Sequence, residues 1–580
     1  MPSTEEISSK RGKERYTAAR ILRADSVSWD TGFSPATFSG CAEESSITTI
    51  AGQAARTATV REVTIGLLRA LGMTTVFGNP GSTELRFLAD WPADFRYVLG
   101  LHEGCSVAMA DAFAQLTRNA AFVNLHSAGG VGNAMGAIFT AYKNQAPLVI
   151  VAGQQTRAML GSEPFLFAQD AAVLPRPYVK WSSEPARAED VPAALARAYH
   201  IALERPYGPT FVSVPEDDWD RAAEPLAPRR VYADVGPDPA ALAELAAAFD
   251  ASTAPALVVG AGVDRDDAAE LVVRLAERTG APVWNGALAS RCGFPEDHPL
   301  YQGALPRVRD GVVATLRGRD LVVVLGAPVF NYHVHAEGPF APAAAVLFQL
   351  TDDPGAASFA VAGTSIITAL RPALEALLPQ LTAAQPVLPA PRPRPEAAAG
   401  EPISIAYLLQ SLARTMPADA IVVEETPSSH GVLHEYLPLA PGRYFAAASG
   451  SLGYGLPAAV GAALAAPGRR VVGLIGDGSS YYGIQGLWTA AQQRLPIVYA
   501  IVNNGGYGAM KSFGDLMGSH RTPSFDIGGV DFVALARGFG CEGVRVERAA
   551  DLVPALAAAM AARGPVLLDV AVDTAAQVLR

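Results

Sequence analysis

Cysteine is scarce in this sequence, with 4 residues among 580. The four lie far apart and form no Cys-x-x-Cys pair, so the sequence offers neither a disulfide framework nor a zinc site. We interpret them as reduced thiols of a cytoplasmic protein; they are Cys41, Cys105, Cys292 and Cys541.

Long apolar runs and a surplus of basic residues are missing as well. No apolar run reaches the roughly 18 residues that a membrane-spanning helix needs, so the sequence predicts no such helix. Lys and Arg number 45 against 56 Asp and Glu, and the formal net charge is −11. This acidic balance argues against nucleic acid and against an anionic membrane as partners.

Residues 1–56 lack a sustained apolar period. They are rich in Ser, Thr, Glu and Arg and contain no apolar stretch of the kind that a secretory signal requires. A segment of this composition does not bury enough apolar surface to offset the entropy of ordering it. We therefore predict a mostly disordered extension.

The rest of the chain is apolar enough to form several cores. Half of all residues are apolar, and only 17% are charged, so a chain of this length is expected to form about three domains. Short apolar strands alternate with helical stretches, which is typical of α/β domains with doubly wound parallel sheets. We predict three such domains over 57–225, 240–378 and 403–575, with a Pro/Ala-rich linker over 379–402.

One segment of the last domain, Val471–Met510, combines two strand ends. An apolar run from Val471 ends in a Gly-Asp-Gly turn, and a second run from Ile497 ends in Asn503 and Asn504. Strand, helix and strand form a βαβ unit, so both turns are expected at the carboxyl edge of a parallel sheet, where α/β folds bind ligands.

The side chains of these two turns suit a metal and a phosphate. Asp477 and Asn504 are hard oxygen donors, which Mg²⁺ or Ca²⁺ prefers. The glycines beside Ser479 leave backbone N–H groups accessible near a helix N-terminus, where phosphates bind. A lone Gly-Asp-Gly fits a ligand-free turn equally well. The Asn-Asn pair that follows after 24 residues makes a metal–diphosphate site the more specific interpretation.

A second glycine turn, Gly260-Ala261-Gly262, follows a strand of the middle domain. It resembles part of a dinucleotide-binding loop, but the full G-x-G-x-x-G spacing is absent. We interpret it as a structural turn.

The Gly-Asp-Gly…Asn-Asn signature resembles that of the thiamine diphosphate-dependent decarboxylase superfamily. Within it, the chain is most similar to the benzoylformate decarboxylase family, and the similarity extends from Val60 to Val572. It rests on ordered strings in all three domains, among them VFGNPGSTEL, NLHSAGGVGNAMGA, AGQQTRAM, GAPVFNYH and VNNGGYGA.

The resemblance implies a cofactor, an assembly and a reaction. The first domain is expected to bind the aminopyrimidine of thiamine diphosphate, and the third its diphosphate with Mg²⁺ (or Ca²⁺). In the family these domains come from different subunits, so a homo-oligomer is implied, a tetramer built from dimers with active sites at the interfaces. The implied reaction is the non-oxidative decarboxylation of a small-molecule substrate, an aromatic 2-oxo acid such as benzoylformate, to an aldehyde and CO₂.

Four residues receive catalytic roles from the resemblance. Glu103, which on its own reads as a first-turn glutamate, is expected to hydrogen-bond the aminopyrimidine. Ser82 is expected to hold the substrate carboxylate. His126 and His298 are implied as the two histidines that move protons, since imidazoles titrate near neutrality.

The resemblance also implies a cofactor site. The implied metal ligands are Asp477, Asn504 and the carbonyl of Gly506, where the family more often has Thr. Leu452 matches the apolar residue that bends the cofactor. The remaining cofactor contacts are Ser428, Ser429, Gly476, Gly478, Ser479 and Tyr507.

The substrate pocket is where the chain departs from the family. Phe165 replaces an expected Leu, and Lys511-Ser512 replaces an Arg-Trp pair. Other departures are His102 for Gln and Pro427 for a hydroxyl residue. An apolar pocket suits an aromatic or branched acid better than pyruvate; its implied residues are Phe165, Leu166, Ala509, Met510 and Phe513.

Three other functions stay open at this point. One is decarboxylation of a different aromatic or branched 2-oxo acid, which the altered pocket permits. Another is a thiamine diphosphate carboligase of the acetolactate synthase type, which usually lacks a histidine matching His126 and often binds FAD. The last is a non-catalytic paralogue, against which Glu103, Asp477 and Asn504 argue.

Overall fold

Three parallel β-sheets, each with helices on both faces, carry the described part of the chain. The computed structural model describes residues 58–382, 386–519, 523 and 525–574, so the predicted extension lies outside the described residues. Each sheet contains six strands within this range, and every strand pairing recorded inside the sheets is parallel, as in Asn79 opposite Leu125. The predicted α/β class with three parallel-sheet domains is confirmed.

The first sheet begins after a helix with a capping box, in which Thr59 and Glu62 bond to each other's backbone N–H. Its strand order is β2-β1-β3-β4-β6-β5. The strands are β1 Thr75–Asn79, β2 Arg96–Leu99, β3 Ala121–Leu125, β4 Leu148–Gln154, β5 Trp181–Ser183 and β6 Thr210–Pro215. The helices are α1 Val60–Ala70, α2 Leu85–Leu88, α3 Glu103–Thr117, α4 Ser127–Asn144 and α5 Val191–Ala202.

The middle sheet has the order β12-β11-β10-β7-β8-β9, which is the order of doubly wound nucleotide-binding folds. Its strands are β7 Pro255–Val259, β8 Val283–Asn285, β9 Tyr301–Ala304, β10 Leu321–Leu325, β11 Val346–Thr351 and β12 Thr364–Ile367. Its helices are α6 Pro239–Ala251, α7 Ala261–Arg265, α8 Ala269–Thr279, α9 Arg309–Thr315, α10 Pro354–Ser358 and α11 Leu370–Leu377.

The glycine turn after β7 is packed against protein backbone. A Cβ on Gly262 would lie 2.7 Å from the Cα of Gly326, so the turn is filled by the neighbouring strand end. This contact supports the interpretation as a structural turn.

The third sheet repeats the topology of the first. Its order is β14-β13-β15-β16-β18-β17, which is the first sheet's order with each strand number raised by twelve. The strands are β13 Ile421–Glu425, β14 Tyr444–Ala446, β15 Val471–Gly476, β16 Ile497–Asn503, β17 Glu542–Val546 and β18 Val566–Ala571. The helices are α12 Ile405–Thr415, α13 His430–Tyr436, α14 Gly455–Ala465, α15 Asp477–Ser480, α16 Gly486–Gln492, α17 Gly508–Leu516, α18 Phe532–Gly538 and α19 Ala549–Ala561.

Helices α3 and α14 join the first and third domains in one apolar core. They cross so closely at Gly461 that a Cβ there would overlap the carbonyl of Met109, and only glycine permits this approach. Within the described residues, no helix is both long and apolar enough to cross a bilayer. Three of the cysteines are buried free thiols, namely Cys105, Cys292 and Cys541.

Candidate active site

Three strand ends of the first sheet bring Ser82, Glu103 and His126 to one edge. Ser82 follows β1, Glu103 begins α3 after β2, and His126 follows β3. Because β1 pairs in parallel with both β2 and β3, the three residues lie at the carboxyl edge of the sheet. Ser82 is exposed there.

A buried carboxylate holds His126. The Oε2 atom of Glu84 lies 3.0 Å from Nδ1 of His126 and accepts the N–H of Gly81 at 2.7 Å, while Oε1 accepts the N–H of Gly153 at 2.9 Å. The hydrogen bond to Glu84 raises the pKa of His126, and partial burial opposes that rise. With Nδ1 engaged by Glu84, Nε2 is the nitrogen left for chemistry.

Glu84 was not predicted from the sequence. The only signal was a glutamate two residues after Ser82 in the Ser-Thr-Glu turn, which also fits an N-terminal capping residue. Its burial and its pairing with a histidine 42 positions away depend on the tertiary fold.

Glu103 is buried at the start of α3, where the helix dipole favours a carboxylate. Its Oε2 accepts the side-chain amide of Asn133 at 3.1 Å. A Cβ on Gly130 would lie 3.4 Å from both Glu103 Oε1 and His126 Cβ, so Glu103 and His126 face the same glycine. His102 caps α3, since its Nδ1 accepts the N–H of Gly104 at 3.1 Å.

Two pocket candidates lie on the same domain. The carbonyl of Leu166 accepts a hydrogen bond from the hydroxyl of Ser127 at 2.8 Å. Ser127 directly follows His126 in the chain. The side chain of Phe165 is 87% exposed, although its carbonyl accepts the amide of Gln155 at 2.6 Å. Most of the apolar surface of this ring is therefore left uncovered by the described part of the chain.

A second group lies at the carboxyl edge of the third sheet. β15 and β16 pair with Gly476 opposite Val502, which places Asp477 beside the turn that contains Asn504. Burial raises the pKa of Asp477, and the nearby N–H groups of Gly478, Gly505 and Gly506 oppose this rise. The N–H of Gly478 donates to Oδ1 of Asp477 at 2.8 Å. The predicted proximity of the two turns is therefore observed. Asn504 Oδ1 accepts the N–H of Gly506 at 3.2 Å.

These turns bring small and polar groups close together. A Cβ on Gly478 would lie 2.8 Å from the ring of Tyr507, and one on Gly508 would lie 2.9 Å from Ser428 Oγ. Ser429 and Ser479 are buried nearby on the same strand ends. One carboxylate, one amide oxygen, a backbone carbonyl and several hydroxyls are hard donors, so this set fits Mg²⁺ with a diphosphate.

Leu452 lies in a loop that a buried glutamate fixes. Gly450 and Gly453 on either side both have positive φ angles, of 72° and 105°. Glu425, at the end of β13, accepts the N–H groups of Gly453 at 2.6 Å and Gly455 at 2.8 Å. Burial raises the pKa of Glu425 to about 8, against the effect of these N–H groups. This support for Leu452 was not predicted.

The remaining pocket candidates lie on α17. They are next to His333, which was not predicted from the sequence. Ala509 is partly buried and Met510 is 46% exposed. The ring of His333 packs edge-to-face on Phe513, with 4.7 Å between centroids. Burial lowers the pKa of His333, and the nearby Arg307 lowers it further. The string GAPVFNYH was the available signal, since His333 ends it.

The structure does not bring His298 to either group. Its Nε2 lies 3.3 Å from Glu277, its Nδ1 accepts the N–H of Leu300, and its ring packs on Phe294. All three partners belong to the middle domain. His333, by contrast, contacts Phe513 of the third domain, a contact that the local sequence does not reveal. The catalytic role of His298 stays a prediction.

The two groups remain separate within one chain. Among the residues that the structure describes, no hydrogen bond, ion pair or ring contact links Ser82, Glu103 or His126 to Asp477 or Asn504. The first group contains residues predicted to contact the pyrimidine and the substrate, and the second contains residues predicted to bind the metal and the diphosphate.

Three family models match the chain in order. Residues 58–172 match the thiamine pyrophosphate enzyme N-terminal TPP binding domain, 242–377 the central domain and 427–570 the C-terminal TPP binding domain. Together they span more than half of the chain.

Individual proteins match over nearly the whole described length. Benzoylformate decarboxylase of Pseudomonas aeruginosa is 47% identical over 523 residues, which cover 89% of this chain and 99% of that protein. Acetolactate synthase of Mycobacterium bovis is 28% identical, covering 89% of this chain and 88% of the relative.

A solved structure superimposes equally well. The thiamine diphosphate-dependent 4-hydroxybenzoylformate decarboxylase of Rhodococcus jostii RHA1 gives a TM-score of 0.87 at 44% identity, covering 89% of this chain and 100% of that one. The fold is thus shared over the same length.

Proposed function

We propose, from the premise that this chain belongs to the thiamine pyrophosphate enzymes, that it decarboxylates an aromatic 2-oxo acid without oxidation. The observation that carries the proposal is the 47% identity to a benzoylformate decarboxylase across 99% of that protein. The lower identity of 28% to an acetolactate synthase favours decarboxylation over carboligation. Benzoylformate is the substrate we propose, with benzaldehyde and CO₂ as products.

The third-domain group would hold the cofactor. Asp477, Asn504 and the carbonyl of Gly506 would bind Mg²⁺ (or Ca²⁺), and the hydroxyls of Ser428, Ser429 and Ser479 would bind the diphosphate. Bound thiamine diphosphate supplies a carbanion for addition to the 2-oxo carbon and an electron sink for the loss of CO₂. Leu452, held by the loop that Glu425 fixes, would support the bent cofactor.

The first-domain group would act on the pyrimidine and the substrate. Glu103 would hold a proton at the pyrimidine nitrogen, from the start of α3 where Asn133 orients its carboxylate. The exposed hydroxyl of Ser82 would bind the substrate carboxylate without neutralising it, which preserves the driving force for CO₂ loss. Glu84 would act as a positioning residue for His126.

Two histidines would move protons. His126 has Nδ1 fixed by Glu84 and a raised pKa, so its Nε2 is suited to donate a proton to the carbonyl oxygen or to the carbon that has lost CO₂. His333 has a lowered pKa and is suited to accept a proton when the aldehyde leaves. Opposite shifts in pKa are the pattern expected of an acid and a base that work together.

We propose that a homodimer completes the site and that dimers pair into a tetramer. Two observations support this assembly: the two groups do not meet within a chain, and Phe165 and Met510 expose apolar surface beside them. The three buried free thiols support a cytoplasmic location. We retain 57–225, 240–378 and 403–575 as the proposed domains, with 379–402 as linker.

Turnover with thiamine diphosphate and Mg²⁺ tests the function directly. We expect benzoylformate to have a much larger kcat/KM than pyruvate or a branched 2-oxo acid, measured through a coupled aldehyde reductase. Preference for another 2-oxo acid would assign the difference to Phe165 and residues 509–513. Formation of 2-hydroxy-2-methyl-3-oxo acids from pyruvate, with flavin absorbance in the purified protein, would support the carboligase instead.

A further inference from the structure

A cleft between the middle and third domains is not used by the proposed reaction. Its volume is about 560 Å³, and part of its wall is the linker segment 391–395. Its lining includes three large apolar side chains and three polar ones, namely Trp284, Tyr301 and Leu305, and Arg307, His430 and His434. None of these six residues belongs to the two groups described above.

Arg307 is a half-buried cation that lines this cleft. Within the described ranges, its guanidinium makes no hydrogen bond or ion pair, although the residue is half-buried. Burial lowers the pKa of Arg307, and the Glu424 carboxylate opposes that effect from a distance. A partly buried guanidinium without a partner costs free energy that a bound anion would recover.

Two histidines line the same cleft. His430 and His434 lie one turn apart on α13, with 5.3 Å between ring centroids. The Nδ1 atoms are engaged by buried carboxylates, at 3.3 Å to Glu424 and 2.7 Å to Glu296. In the part of the chain that the structure describes, neither Nε2 has a protein hydrogen-bond partner, so both are available to a ligand.

The two buried carboxylates that hold the histidine pair are already engaged. Oε1 of Glu296 accepts from Asn285 and Tyr301, both at 3.1 Å, and Oε2 accepts the N–H of Leu439 at 3.0 Å. Glu424 accepts from Tyr444 at 3.0 Å as well as from His430. The carboxylates nearest the histidines are thus taken up by other donors, and the charge of Arg307 disfavours a cation at the histidine pair.

We propose that this cleft is a binding site for a small aromatic carboxylate, separate from the site of decarboxylation. The carboxylate would take a bidentate hydrogen bond from Arg307 and a further bond from an imidazole Nε2. The ring would lie against Trp284 and Tyr301. A volume of about 560 Å³ lies within the usual range of small-molecule sites, about 300–1,000 Å³.

The cleft is linked to the proposed active site by short paths. The carbonyl of Arg307 accepts the backbone N–H of His333 at 2.9 Å, and α13 begins directly after Ser428 and Ser429. The proposal itself concerns binding and does not depend on the proposed function.

Bromine scattering gives the direct test. Crystals of the enzyme loaded with thiamine diphosphate and Mg²⁺ are soaked with 4-bromobenzoate, which has no 2-oxo group, and the bromine is located by anomalous diffraction. We expect one bromine in the cleft beside Trp284, whether or not a second occupies the site of decarboxylation. Bromine found only near Ser82 and Asp477, or nowhere, would overturn the proposal.

Titration calorimetry in solution distinguishes a direct contact of Arg307 with the ligand from a general effect of net charge on affinity. In the loaded enzyme, Arg307→Gln is expected to weaken 4-bromobenzoate binding at the cleft by about tenfold or more, because a charge-assisted hydrogen bond is lost. Arg307→Lys should keep part of the affinity, and Arg317→Gln, which removes an equal charge from an exposed position, should leave it unchanged. Equal affinity in the wild type and Arg307→Gln would contradict the proposal.

Discussion

At the residue scale, the chemistry of the first-domain group depends on one buried carboxylate. Glu84 uses both oxygens, one for His126 and the N–H of Gly81 and the other for the N–H of Gly153. It therefore fixes the imidazole to the strand ends of β1 and β4 and raises the pKa of His126. A side chain that does not touch substrate in this arrangement still decides which nitrogen is free and at which pH it is charged.

Glu84→Gln tests this pairing. The loss of the negative charge is expected to lower the pKa of His126, so the limb of the kcat/KM profile that belongs to His126 should move to lower pH. Because Glu84 raises the pKa of His126 in the folded state, the protonated imidazole stabilises the fold. This contribution to the unfolding free energy is fully present below the unfolded pKa of His126, and it is lost as the pH rises through the folded pKa.

The control for this experiment is Glu224→Gln, an exposed carboxylate on the same domain. Its pH profile should match that of the wild type. An unshifted profile for Glu84→Gln, with activity merely reduced, would show that Glu84 acts only through packing.

The choice between His333 and His298 is a second question at this scale. Replacement of His333 by Ala should reduce kcat by about 100-fold or more, the usual contribution of a general acid or base. Replacement of His298 by Ala should change kcat by less than about twofold, since its ring contacts only the middle domain. Steady-state kinetics of both variants decide it, and the reverse order of effects would restore His298 as the catalytic histidine.

At the element scale, loops are fixed by strand-end carboxylates. Glu425 ends β13 and collects the N–H groups of residues 453–455, which open α14. The loop with Leu452 is therefore anchored to the carboxyl end of a strand of the third sheet. These hydrogen bonds to Glu425 restrain the loop around Leu452, which glycines flank on both sides.

Glu425→Ala is expected to leave these buried N–H groups unpaired and to cost about 1–3 kcal/mol of unfolding free energy. Because the Leu452 loop loses its anchor, affinity for thiamine diphosphate should fall as well. Thermal unfolding and a cofactor titration measure the two effects, and Glu435→Ala, an exposed carboxylate on α13, is the matched control. Unchanged cofactor affinity in a destabilised Glu425→Ala would separate the loop from the cofactor site.

At the scale of the whole molecule, the first and third domains are built as one unit. α3, which begins at Glu103, packs on α14 in a core that includes residues of both domains. The third sheet repeats the strand order of the first. The two groups of site residues are therefore held at equivalent edges of two similar domains. In a two-fold symmetric dimer, the first-domain group of one subunit could face the third-domain group of the other.

Residues 1–56 are expected to be dispensable to this assembly. The matched family models begin at residue 58, and the Pseudomonas aeruginosa relative is covered over 99% of its length by 89% of this chain. Deletion of residues 1–56 should leave kcat/KM within about twofold and the oligomer intact, measured by kinetics and light scattering. Loss of either would show that the extension takes part in assembly or catalysis.

The sequence by itself determined the elements and the cofactor half of the site. Continuous apolar runs such as Val471–Ile475 and Ile497–Val502 are long enough only for buried strands, and parallel strands bring their carboxyl ends together. Asp477 and Asn504 were therefore predictable as neighbours from local pattern alone. The resemblance then added Glu103, Ser82 and His126, whose strand ends share one edge.

Only the tertiary structure decided the partners that lie far apart in sequence. The pairing of Glu84 with His126, the hold of Glu425 on the Leu452 loop, and the contact of His333 with Phe513 join different elements. No periodicity or spacing encodes these contacts, because they depend on how strand ends and domains pack in three dimensions. The cleft at Arg307 has the same origin, since its walls come from two domains and the linker between them.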